Sequence, residues 1–154
     1  SDNMLDVARD KAKKGGLSID FINVDARDMI FEDESFDGVI SMAAIEFIQE
    51  SEKVLNEMFR VVKKGGKIVI GTINRDSKWG ELYLSREFQE NSVFKYASFK
   101  TMDELINLYP EKPEATGQCL FIPLDASEDE ISLDIEKQLS DTERGGFLCA
   151  LWIK

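Results

Sequence analysis

The sequence predicts an α/β fold, part of a doubly wound and mainly parallel sheet, and three observations carry that reading. Residues 19–24, 36–40 and 67–73 are apolar runs of strand length. Between the last two lies a stretch at about 52–63 whose Val54, Leu55, Met58, Val61 and Val62 recur at helical spacing. The runs end on Asp25, Ser41 and Asn74, polar residues at the carboxyl ends of strands, where ligands of such sheets sit.

Each element has its own signal. Ser1 or Asp2 caps a first helix with Met4, Leu5, Ala8 and Ala12 on one face, and Gly15-Gly16 stops it, because glycine takes the left-handed turn that ends helices. Ser51 is placed to cap the second helix, and Gly65-Gly66 to close it before the strand at 67–73. A polar loop from Asn74 to Gly80 leads into a helix carrying Leu82, Tyr83 and Phe88. Thr101 and Glu104 form a capping box, in which each side chain satisfies the other's orphan amide, and the short helix it starts ends at Pro110. Ser127 and Glu130 form a second box ahead of a helix bearing Ile131, Ile135 and Leu139. Two late strands, 118–124 and 146–153, flank that helix.

Composition sets limits. With 154 residues, 43% of them hydrophobic, the chain can bury one core. No apolar run approaches the roughly 18–20 residues that span a bilayer, and no basic start precedes an apolar stretch, so a soluble, cytoplasmic protein without a membrane partner is expected. Cys119 and Cys149 lie in apolar runs and read as buried reduced thiols, too few for a disulfide scaffold. The net charge of −11, from 30 acidic and 19 basic residues, repels phosphate backbones and argues against nucleic acid as a partner. Eight acidic residues against two basic ones between Asp125 and Arg144 describe a solvated face. The absence of histidine removes Ser-His and Cys-His nucleophile pairs, His-ligated zinc and a His general base, and no metal site is expected.

The motifs are more specific. Asp25-Ala26, Ser35-Phe36-Asp37 and the run from Glu57 through Arg60-Val61-Val62-Lys63-Lys64 to Gly65-Gly66 resemble the S-adenosylmethionine-dependent methyltransferases of the Rossmann-like class, in particular the small-molecule branch with the ubiquinone/menaquinone-type enzymes. Lys64 stands where that family usually has proline. The start, Ser1-Asp2-Asn3-Met4-Leu5-Asp6-Val7-Ala8, resembles the family's S-x-x-M-L-x-x-A helix start. The resemblance covers most of residues 1–75 and implies a Rossmann-like sheet with a closing C-terminal antiparallel hairpin. It also implies a glycine-rich loop and an acidic strand end ahead of this chain; none of its glycine pairs opens a helix after a strand. The sequence is therefore expected to be the C-terminal part of one incomplete domain, binding S-adenosylmethionine weakly or not at all by itself. Two unpaired apolar sheet edges would then pair with each other or in a homodimer. The rival reading is a non-catalytic binding or regulatory module on the same fold.

The resemblance assigns the cofactor contacts. Asp25 would accept from the adenine amine while the Ala26 N–H meets a ring nitrogen; alternatively Asp25 is a turn-forming Asx residue. Met4 would lie on the adenine face or in the core. Ser41 and Met42 would stand near the methionine moiety. Methyl transfer gains most from alignment, worth up to about 7–11 kcal/mol, so a dedicated base is dispensable. Glu46, just past the strand ending at Ser41, is the first candidate for one and Tyr83 the second. Residues 74–112 read as a substrate-cap insertion, whose aromatics line a pocket for a small molecule or simply pack.

Overall fold

The computed structural model describes residues 2–154, so Ser1, one of the two candidate caps, lies outside the described residues. The chain runs α1 (Asp2–Lys14), β1 (Phe36–Met42), α2 (Ser51–Val61), β2 (Val62–Ile73), α3 (Lys78–Leu84), α4 (Arg86–Glu90), α5 (Met102–Ile106), β3 (Ala115–Cys119), α6 (Leu133–Leu139) and β4 (Phe147–Ile153). Single 3-10 turns stand at Ile45–Phe47, Val93–Tyr96 and Glu128–Glu130.

The strands form one sheet in the order β1-β2-β4-β3. β1 runs parallel to β2, and β4 runs antiparallel to both β2 and β3, so the expected parallel pair and the closing hairpin are present. The carboxyl ends of β1, β2 and β3 consequently share one rim. Cross-strand pairs Ile68–Trp152, Ile70–Ala150 and Thr72–Leu148 stack along one face, and all six residues are buried. α2 lays Val54, Leu55, Met58 and Phe59 on that face, joined by Leu105 and Leu108. Each such side chain gains about 1.5–3 kcal/mol by leaving water. On the opposite face Ile40 and Ile153 are exposed.

α1 ends as its glycines require. Gly16 takes φ +64°, the Leu17 N–H reaches back to the Ala12 carbonyl at 2.9 Å and the Gly16 N–H to Lys13 at 3.2 Å, closing a Schellman turn.

Several expectations need correction. Residues 19–24 form no strand: no described strand pairs with them, and Ile19 and Ile22 stay exposed. Neither edge of the sheet is closed by that segment. Ser51 does not cap α2, because Glu50 occupies the cap position in a left-handed turn without a side-chain bond. The helix does not run on to the glycine pair. It ends at Val61, and the strand starts at Val62, absorbing Gly65 and Gly66 into an irregular register opposite Phe36 and Gly38. The helix expected around Tyr83 is two helices, broken at Ser85, whose extended backbone starts the second. The strand expected at 118–124 lies at Ala115–Cys119, because Leu120 turns left-handed and leaves the ladder. That strand is an exposed edge, so Cys119 is exposed rather than buried, and the two cysteines carry free thiols on adjacent strands.

The two capping boxes behave differently in detail. Thr101 and Glu104 exchange both bonds, whereas the Glu130 carboxylate takes both the backbone N–H and the hydroxyl of Ser127 and starts only a 3-10 turn.

Gly66 sits beside the register irregularity between β1 and β2. A Cβ there would come within 2.5 Å of the Val62 side chain and 2.7 Å of the Asp37 carbonyl, whereas one at Gly117 meets nothing within 4 Å. Gly66→Ala should therefore lower unfolding free energy by about 1–3 kcal/mol, and Gly117→Ala should leave it unchanged or higher. Urea unfolding of the two variants checks this; equal midpoints would contradict the tight packing at Gly66.

Candidate functional site

At the rim beyond β1 the chain builds a cavity of about 750 Å³ from three separate stretches: Val24 to Arg27, Phe47 to Gln49, and Lys95 with Tyr96. Its first wall is held in place from α2. The Glu57 carboxylate accepts the Met29 N–H at 2.6 Å, while the Arg60 guanidinium donates to the Met29 carbonyl at 2.9 Å, the Phe31 carbonyl at 2.7 Å and Asp33 at 2.8 Å. Arg60 and Glu57 also pair with each other through two bonds of 2.7 Å. The arginine holds Glu57 below the usual carboxylate range, and the two carboxylates raise Arg60. The glutamate and arginine of the sequence motif thus clamp the segment that follows the Asp25 turn.

Asp25 closes an Asx turn, its Oδ1 accepting the Arg27 N–H at 2.9 Å. The Arg27 guanidinium grips the same carboxylate, with Nη2 to Oδ2 at 2.6 Å and Nε to Oδ1 at 3.0 Å. These bonds hold the Asp25 pKa down at about 2. Asp25 is therefore an anion at the mouth of the cavity at any physiological pH, and a further donor must share it with Arg27. Ala26 packs inward against the core.

Of the other candidates, the structure brings none into the lining of this cavity. Met4 is 70% exposed on α1. Ser41 and Met42 do end β1 at the rim, with Met42 lying against the bare backbone of Gly71. Tyr83 stacks on Phe94 at 4.6 Å between ring centres and meets Phe88 edge-on at 5.0 Å, in a cluster that reaches Phe47 through Phe94. Phe47 is shared between that cluster and the cavity.

Glu46 adjoins both. It is buried, its backbone carbonyl accepts the Ser98 N–H at 2.7 Å, and Oε2 accepts the Thr72 hydroxyl at 3.1 Å, but Oε1 has no partner. Burial raises its pKa, with backbone and Thr72 hydrogen bonds and the Lys100 charge pulling the other way. One oxygen of a buried carboxyl is thus left without a hydrogen-bond donor.

Arg27, Phe47 and Lys95 were not singled out from the sequence, whereas Tyr96 was among the aromatics of residues 74–112 expected to line a pocket or to pack. Arg27 was legible two residues after Asp25 in an Asx turn. The approach of Lys95 and Tyr96 to Asp25 was not, since only tertiary folding brings them together. Among the described residues no cluster of metal-ligating side chains occurs and no helix is long and apolar enough to cross a membrane.

Residues 1–70 match the family described as the methyltransferase domain. A crystal structure from Thermotoga maritima, described as an S-adenosylmethionine-dependent methyltransferase and possible histamine N-methyltransferase, superposes with a TM-score of 0.67 at 27% identity, covering 93% of this chain and 67% of that one. Residues 1–70 thus carry the sequence of a methyltransferase domain, on a Rossmann-like fold. An uncharacterized protein of Methanocaldococcus jannaschii is 34% identical over 110 residues, covering 70% of this chain and 52% of the relative. Demethylmenaquinone methyltransferase of Clavibacter sepedonicus is 40% identical over 70 residues, 46% of this chain and 28% of that enzyme. The chain thus spans about half the length, or less, of these curated relatives.

Folded Glu46 keeps its proton to higher pH than the unfolded chain, whose carboxyl titrates near the ordinary 4.5. The folded state then binds more protons, so its stability falls as pH rises from that value through the raised one. Glu46→Gln should remove that decline. Urea midpoints measured across the acid-to-neutral range check it; parallel profiles for the two proteins would contradict a raised carboxyl.

Proposed function

We propose that the protein transfers a methyl group from S-adenosylmethionine to a small-molecule acceptor, with the cofactor's adenosine in the cavity beside Asp25. The observation that carries this is the convergence of the Asp25-Ala26 turn, Phe47 and Tyr96 on one cavity at the rim. The residues fit the group: Asp25 offers an anionic acceptor for an exocyclic amine, the Ala26 N–H a donor beside it, and Phe47 and Tyr96 aromatic surface. When bound, the cofactor supplies an electrophilic methyl on a sulfonium. Ser41 and Met42, ending β1, are placed to face its methionine part.

The acceptor side is assigned to residues 74–112, which cap the rim through the Tyr83, Phe88, Phe94 and Phe99 cluster. An apolar or aromatic acceptor suits that surface, in keeping with the demethylmenaquinone activity by which one relative is named. Glu46, directly under this cap, takes a proton from the acceptor where one must leave; Tyr83 orients the ring cluster. The reactive geometry comes from holding acceptor, methyl and sulfur in line.

A second reading, a binding or regulatory module, is favoured by one observation: Arg27 already occupies the Asp25 carboxylate. Assembly through the exposed edge of β1 and a cytoplasmic location complete the proposal, the latter supported by the free thiols of Cys119 and Cys149.

Calorimetric titration with S-adenosylmethionine, on the full-length protein, separates the readings. Asp25→Ala should weaken binding about tenfold, the loss expected of one charge-assisted hydrogen bond, with the fold intact by circular dichroism. Unchanged affinity in a folded variant would return Asp25 to the turn alone.

A further inference from the structure

Three consecutive backbone N–H groups converge at the rim end of β3. Leu120 turns the chain out of the strand at φ +64°, a conformation that residues with a branched side chain seldom adopt. The turn aims the N–H groups of Leu120, Phe121 and Ile122 at a single carboxylate, that of Glu136 on α6. Phe121 and Ile122 both donate to Oε2, at 2.9 Å and 3.1 Å, and Leu120 makes a short bond to Oε1. Successive N–H groups in a left-handed turn make a concave nest for anions.

Glu136 does more here than an ordinary surface carboxylate. α6 is otherwise loosely attached, with Leu133 79% exposed and the preceding Ile131 61% exposed. On the other side of the same loop, the Ile122 carbonyl accepts the Trp79 indole N–H at 3.1 Å. Trp79 in turn lies flat against Gly146, where any Cβ would strike its ring. The nest therefore links α6 to α3 through one carboxylate.

We propose that residues 120–122 form an oxyanion-binding site at the rim of the sheet, whose resting occupant is Glu136 and which takes the carboxylate of a small-molecule ligand when α6 lifts away. The donor set decides the chemistry. Three N–H groups favour a planar anion with two oxygens, and charge assistance makes each bond stronger than one to a neutral amide. Glu136 acts on its surroundings by positioning the loop and Trp79.

The test is Glu136→Ala with formate as the probe, followed by the NMR signals of the Leu120, Phe121 and Ile122 amides and the Trp79 indole. All four should move away from their wild-type positions in the variant and return as formate saturates the nest, whereas chloride at the same ionic strength leaves them displaced. Wild-type protein should respond only at much higher formate concentration. Signals that stay at wild-type positions in the variant, or that move but ignore formate, overturn the proposal. If Glu136→Ala does not fold, Glu136→Gln serves: its single amide oxygen should displace the signals part-way and yield saturably to formate, and a variant indifferent to formate overturns the proposal equally.

Discussion

The site depends first on the ion pair between Glu57 and Arg60, because those two side chains fix a stretch of chain that has no secondary structure of its own. Between the end of α1 and the start of β1 the backbone forms no ladder with any described strand. Its polar groups need partners nonetheless. Arg60 supplies donors to two carbonyls and Glu57 an acceptor to one N–H, with the planar guanidinium reaching several oxygens at once. The turn at Asp25 stands a few residues before that anchor. A motif that read from sequence as a family mark is, physically, a clamp that places the first wall of the cavity.

The parts of the fold legible in the sequence were those encoded locally. The stripe on α2 was visible as helical spacing and is the core. The Gly16 turn and the Thr101 capping box were visible as residue chemistry. The parts that went astray were decided by partners at a distance. Residues 19–24 have strand composition, but a strand exists only through its ladder. Residues 120–124 are as apolar as β4, yet Glu136 draws their N–H groups away from the sheet, and the strand moved toward the N-terminus. Gly65 and Gly66 look like a helix stop and serve instead the irregular register of β2 with β1.

The site shows the same division. Asp25 and Ala26, which line the cavity, stood out because their motif is contiguous, and Glu46, which does not line it, because it follows a strand end. Its burial under residues 98–100 could not be read, since those residues reach it only in the folded chain. Lys95 and Tyr96 arrive at the cavity from the 3-10 turn at Val93–Tyr96, and escaped the sequence for the same reason. Phe47, which lies outside residues 74–112, touches Phe94 of the ring cluster and also lines the cavity wall.

The most direct test of this account is to add S-adenosylhomocysteine to isotope-labelled full-length protein and map the backbone amide shifts. The account predicts that the largest changes fall on Ala26, Arg27, Phe47 and Tyr96, the three stretches that meet only at this cavity. Shifts confined instead to the separate cavity beside Thr116, Gln118 and Arg144, with the Asp25 turn silent, would contradict it.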